Sequence, residues 1–110
     1  MKNCDDGTSF DSDKSHVLLY FTATWCGPCK TISPIVESYS NNTFYKHVEF
    51  YKIDIDECPS IVDYYNITSV PTFILKKTTE KDLVIQTFQG ADNNKLEQML
   101  LLSCSLGSFN

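Results

Sequence analysis

The chain has 110 residues, of which 42% are hydrophobic and 21% charged, and carries a formal net charge of −5. This is one domain of ordinary globular composition, long enough to build a single core without disulfide staples. All nine basic side chains are lysine, which argues against nucleic acid and gives no reason to expect an anionic membrane as partner.

Residues 1–15 are polar apart from Phe10 and the initiator Met1, and read as an irregular lead-in with one helical turn near Ser9–Asp13. The start, Met1-Lys2-Asn3-Cys4-Asp5-Asp6, does not read as a secretory signal. No apolar run approaches the roughly 18 residues of a membrane span. Residues 16–23 predict a central parallel strand, apolar on both faces. Residues 28–41 fit a helix with Ile32, Ile35 and Val36 on one side, interrupted by Pro34 and ended at Asn41-Asn42. Val48–Ile55 is a second strand. Pro59 opens a short helix through Tyr65. Thr72–Lys77 and Leu83–Gln89 form a hairpin around the polar Thr78–Asp82 loop. Asp92 caps a last helix that turns Leu96, Met99 and Leu100 to the sheet. Residues 103–110 read as a frayed tail, leaving 16–102 as the folded unit. The expected order is β-α-β-α-β-β-α on a mixed sheet, with the chemistry at the carboxyl end of the first long strand.

That strand runs into Trp25-Cys26-Gly27-Pro28-Cys29-Lys30. Two cysteines spaced C-x-x-C at a strand-to-helix junction close a small disulfide ring. The first stands at the helix N-terminus, where free N–H groups and the helix dipole favour the thiolate that disulfide exchange requires. The competing reading is half of a zinc site, but Cys4, Cys58 and Cys104 supply no second pair and only His16 and His47 remain to help. No metal is expected.

From about residue 16 to 102 the chain resembles the thioredoxin family. The hexapeptide at 25–30 matches the family's active-site sequence, and Pro34 its helix proline. Ser69-Val70-Pro71-Thr72 resembles the cis-proline loop, Phe88-Gln89-Gly90-Ala91 the glycine turn beside the site, and Phe50–Asp56 the second long strand. The resemblance implies a thioredoxin fold and reduction of protein disulfides without cofactor, Cys26 acting as nucleophile and Cys29 as resolving thiol. It implies a substrate platform of Trp25, Gly27, Pro28, Val70, Pro71, Gly90 and Ala91. It also implies electrons from a thioredoxin reductase drawing on NADPH, and targets of the peroxiredoxin type. An adaptor that uses only the groove, and an oxidase or isomerase in a lumen, are the alternatives.

Two departures from the family accompany this match. Tyr20 stands where most thioredoxins carry a buried Asp, six positions before the first cysteine. A phenol of reference pKa ~10 is no base at neutral pH, so Tyr20 either donates to a developing Cys29 thiolate or fills space. Lys52 stands where the family has a lysine beside that Asp, and is expected to carry its charge to solvent along its stem. The second departure is that residues 1–15 are too short for the usual first strand and helix. The first strand is therefore expected to be absent or irregular, leaving Val48–Ile55 as a bare sheet edge open to dimerisation in an otherwise monomeric protein.

The other cysteines, Cys4, Cys58 and Cys104, read as solvent-facing spare thiols, with Cys4 and Cys104 able to cross-link in air. Scattered cysteines favour a reducing compartment, the cytoplasm. Asn41-Asn42-Thr43 and Asn66-Ile67-Thr68 are glycosylation acceptors only in an organelle or secretory lumen, which requires a leader removed upstream.

Overall fold

The computed structural model describes residues 1–80 and 83–104. Its elements are β1 (Lys2–Asn3), β2 (His16–Thr22), α1 (Gly27–Ser40), a 3-10 turn (Thr43–Tyr45), β3 (Val48–Asp54), α2 (Pro59–Tyr65), β4 (Thr72–Lys77), β5 (Leu83–Gln89) and α3 (Asn93–Leu102). The strands form one sheet in the order β1-β3-β2-β4-β5. β1, β3 and β2 are mutually parallel, while β4 is antiparallel to both its neighbours, β2 and β5. The mixed sheet, the three helices and almost every expected boundary agree with the sequence.

β2 is buried at all seven positions, as its apolar sequence requires. Side chains alternate across a strand. Leu18 and Tyr20 join Phe73, Leu75, Ile32, Val36 and Leu96 under α1 and α3. Val17, Leu19 and Phe21 join Tyr51, Ile53 and Ile61 on the face covered by α2. Each such fully buried apolar side chain contributes about 1.5–3 kcal/mol. α2 closes at Asn66 in the left-handed conformation (φ 55°), one that Asn tolerates better than most residues.

The N-terminal segment departs from the expectation. β1 exists, two residues long, pairing Lys2 with Tyr51 and Asn3 with Lys52, and the Cys4 N–H extends it to the Lys52 carbonyl at 3.1 Å. β3 therefore has a neighbour on its outer side at Tyr51 and Lys52, and the bare edge that suggested dimerisation is covered there. No helical turn forms at Ser9–Asp13; Phe10 instead packs edge-on against Tyr51. Backbone pairing with β3 places this segment, and an apolar period in the sequence does not reveal such pairing.

Cys58 and Cys4 are not spare surface thiols: they are 0% and 8% exposed and lie in the layer beneath α2. Cys104 is partly buried against the opposite layer. The sheet separates it from Cys4, so the expected Cys4–Cys104 cross-link within one chain does not arise. Residues 105–110 of the expected tail and residues 81–82 of the hairpin loop lie outside the described residues.

Candidate active site

β2 ends at Thr22, and the chain turns through residues 23–25 into α1. Cys26 is the N-cap of that helix, with an extended backbone (φ −84°, ψ 112°), and its Sγ accepts the Cys29 N–H at 3.1 Å. Pro28 fits the first turn because its missing N–H would have had no helical partner there. The unpaired N–H groups and the positive end of the helix dipole thus converge on Cys26 Sγ. Cys26 and Cys29 form a disulfide with Cα atoms 5.3 Å apart. Cys26 is the less buried of the two, 4% exposed against 1%.

Trp25 stands out beside the disulfide, 65% exposed, and its Nε1 donates to Asp56 Oδ2 at 2.8 Å. Sequence reasoning missed Asp56. It lies 31 residues from Trp25, and only the β2–β3 pairing brings the ends of the two strands together. Across the site, the Val70–Pro71 peptide is cis, and the Val70 carbonyl oxygen lies 3.8 Å from Cys26 Sγ. The Gly90 N–H donates to the Pro71 carbonyl at 2.9 Å. Gly90 has φ +108°, a conformation open to glycine and strained for other residues. Gly27, Pro28 and Ala91 are exposed, Val70 is half-buried and Pro71 is buried. Of the anticipated platform residues, Val70 is brought against Cys26 by its carbonyl oxygen, and Gly90 is joined to Pro71 by its N–H.

Tyr20 is fully buried and stacked on Phe73 at 5.0 Å, which in turn stacks on Phe88 at 4.9 Å. Its hydroxyl donates to the Cys29 carbonyl oxygen at 3.2 Å and lies 3.3 Å from Thr22 Oγ1. The group engages the main chain of Cys29, not its sulfur. Lys52 is the β3 partner of Tyr20. It is half-buried and lines a cavity of about 370 Å³ with Cys29, Ser33, Asp54 and Glu57. This cavity gives the otherwise enclosed Cys29 a polar, solvent-connected flank. A larger cavity of about 510 Å³, between Phe10, Ile61 and Tyr65, is not lined by Cys26 or Cys29. Among the described residues no group of three or more His, Cys, Asp or Glu is placed to hold a metal ion.

Comparison with known proteins agrees with this geometry. The sequence model of the thioredoxin family matches residues 6–101. The chain belongs to the thioredoxin family. Members are thiol–disulfide oxidoreductases that reduce protein disulfides, and the Cys26–Cys29 pair provides that chemistry here. This thioredoxin is similar to the solved Plasmodium falciparum thioredoxin, with 34% identity and a TM-score of 0.80 over 93% of this chain and 98% of that one. It is 38% identical over 92 residues to thioredoxin-2 of Pyricularia oryzae, aligning over 82% of its own length and spanning about half, 51%, of that relative. A further solved chain comes from a study of the thiol-resolving mechanism of yeast mitochondrial 1-Cys peroxiredoxin via glutathione/thioredoxin systems. It shares 32% identity and a TM-score of 0.71 over 81% of this chain and 79% of that one.

Proposed function

We propose that this thioredoxin reduces protein disulfides through a mixed-disulfide intermediate, with Cys26 as attacking thiol and Cys29 as resolving thiol. The observation that carries the assignment is the Cys29 N–H on Cys26 Sγ at the N-terminus of α1. A helix N-terminus stabilises negative charge on sulfur at Cys26 and not one turn further on. The Cys26 thiolate attacks one sulfur of the target disulfide and expels the other as a thiolate. The Cys29 thiol loses its proton, attacks Cys26 Sγ and releases the second target thiolate. Target and protein exchange two electrons: the target disulfide becomes two thiols and the Cys26–Cys29 disulfide forms.

Trp25 and the Val70-Pro71 segment flank Cys26, and we assign them, with Gly27, Pro28, Gly90 and Ala91, to target binding. An extended target strand pairs with the Val70 main chain, and Trp25 supplies apolar contact area. Tyr20 affects the second step by standing where a carboxyl base would serve Cys29, and Lys52 affects it from the cavity beside Cys29. Re-reduction falls to a thioredoxin reductase fed by NADPH, and peroxiredoxins are among the targets; the peroxiredoxin study among the structural neighbours supports that class. Free thiols at Cys4, Cys58 and Cys104 support a reducing compartment, the cytoplasm, with a role in electron transport and redox homeostasis, and the pairing of β1 with the outer edge of β3 supports a monomer.

Insulin reduction with dithiothreitol as electron source tests the assignment. The wild-type protein accelerates insulin precipitation, while Cys26→Ser abolishes the acceleration and Cys29→Ser traps a mixed disulfide with the target. A folded wild-type protein without activity overturns the reading in favour of an adaptor.

A further inference from the structure

Two thiols outside the active site, Cys4 and Cys58, share one buried apolar layer although 54 residues separate them. The Cys4 N–H pairs with the Lys52 carbonyl, continuing β1 alongside β3. Cys58 follows the end of β3 and folds back so that its N–H meets the Asp54 carbonyl at 3.1 Å. Both side chains thereby face the layer under α2, and Cys58 Sγ lies 3.6 Å from the Cys4 carbonyl oxygen. Immediately beyond, Asp6 Oδ1 accepts the Ser60 and Ile61 N–H groups at 2.9 and 3.3 Å. The N-terminal segment is thus fastened to β3 at Cys4 and to the start of α2 at Asp6, on the two sides of the cysteine pair.

We propose that Cys4 and Cys58 are a second redox site, a dithiol that closes to an intramolecular disulfide and ties the N-terminal segment to α2. The oxidant is of the peroxide class. Cys4 keeps 8% exposure, which makes it the sulfur of the pair that a small oxidant reaches first. Cys58 has no exposure and is placed to resolve. The Cys4 thiolate attacks the peroxide O–O bond, giving a sulfenic acid and water. The Cys58 thiol then displaces the sulfenic oxygen as a second water, forming the S–S bond. In sum, two thiols and one hydrogen peroxide yield one disulfide and two waters, with two electrons passing to the peroxide.

Relative rates follow from the surroundings. Burial first, then the neighbouring Cys58, pushes the Cys4 thiol up to about 11, the Thr8 hydroxyl pulling the other way. Burial, followed by Asp6, Glu57, Asp54 and Asp5, raises Cys58 as well. Little of either is thiolate at neutral pH, so this pair oxidises only after Cys26 and Cys29. Closure would also pin the turn that carries Asp56, and with it the acceptor of the Trp25 indole.

The test is a time course of reduced wild-type protein in excess hydrogen peroxide, with samples denatured, alkylated and mapped by peptide mass spectrometry. The Cys26–Cys29 disulfide forms first, and a Cys4–Cys58 linked peptide pair, lighter by two hydrogens, follows. The doubly oxidised form melts about 10 °C above the singly oxidised one, and Cys4→Ser loses both the cross-link and that increment. Cys4 and Cys58 that stay alkylatable, or that advance to sulfinic acid unlinked, overturn the proposal. A cross-link between Cys4 and any other cysteine does the same.

Discussion

The Tyr20 hydroxyl donates to the main-chain oxygen of Cys29 at 3.2 Å, so the residue beneath the resolving cysteine is tied to the helix backbone and offers no base to its thiol. Its ring is held between β2 and Phe73. Loss of the hydroxyl in Tyr20→Phe removes one buried hydrogen bond and lowers stability by about 1 kcal/mol, read from chemical denaturation. The second step of exchange keeps its rate in that variant.

Tyr20→Asp acts in the opposite sense on that step. A carboxyl in this apolar layer would have its pKa raised by burial toward neutrality, where it can take the proton of Cys29. Stopped-flow resolution of a mixed disulfide is expected to be slower in wild type than in Tyr20→Asp. Equal rates would show that proton removal from Cys29 does not limit resolution.

Trp25 donates to Asp56 and otherwise faces solvent, as a residue used on an incoming chain would. Trp25→Ala is expected to lower kcat/KM for insulin about tenfold, equivalent to roughly 1.4 kcal/mol of lost contact. Turnover of a small disulfide such as oxidised glutathione should change far less. A parallel loss with both substrates would instead place Trp25 in the chemistry of Cys26.

His16 makes stability depend on pH. Burial, then His47, then Lys77 hold its imidazole below the usual 6.5. Below pH 6.5 the unfolded chain takes up a proton that the folded chain refuses, so the folded state binds fewer protons and loses stability as pH falls. The contribution is complete above 6.5 and declines as pH drops toward the lowered folded value. Thermal melts between about pH 7 and pH 5 should show a falling Tm in wild type and a shallower fall in His16→Gln. Identical slopes would remove His16 as the cause.

Asp6 caps a helix to which it does not belong. The N-cap residue of α2, Cys58, makes no side-chain cap, and Asp6 supplies it through Ser60 and Ile61. Asp6→Ala is expected to cost about 1 kcal/mol, seen as a Tm lower by roughly 4 °C, with insulin reduction unchanged. Asp6→Asn keeps the acceptor oxygen and should recover most of the loss.

The sequence by itself determined the elements that follow from local chemistry and period. The apolar run of β2, the caps at Cys26 and Asp92, Pro59 opening α2, and the C-x-x-C spacing all signal within a few residues of themselves. The Cys26–Cys29 pair was legible for the same reason, whereas the residues assigned to target binding came from the resemblance to the thioredoxin family. Tertiary structure alone decided what depends on partners distant in sequence. β1 contains only Lys2 and Asn3, with no apolar signal of its own, and it exists because β3 offers it a free backbone edge. Cys4 and Cys58 read as surface thiols until that pairing and the turn after β3 carried both under α2. Asp56 became the partner of Trp25, and Asp6 the cap of α2, across 31 and 54 residues. A short polar segment takes its conformation from the surface it meets, and that surface exists only once the sheet has formed.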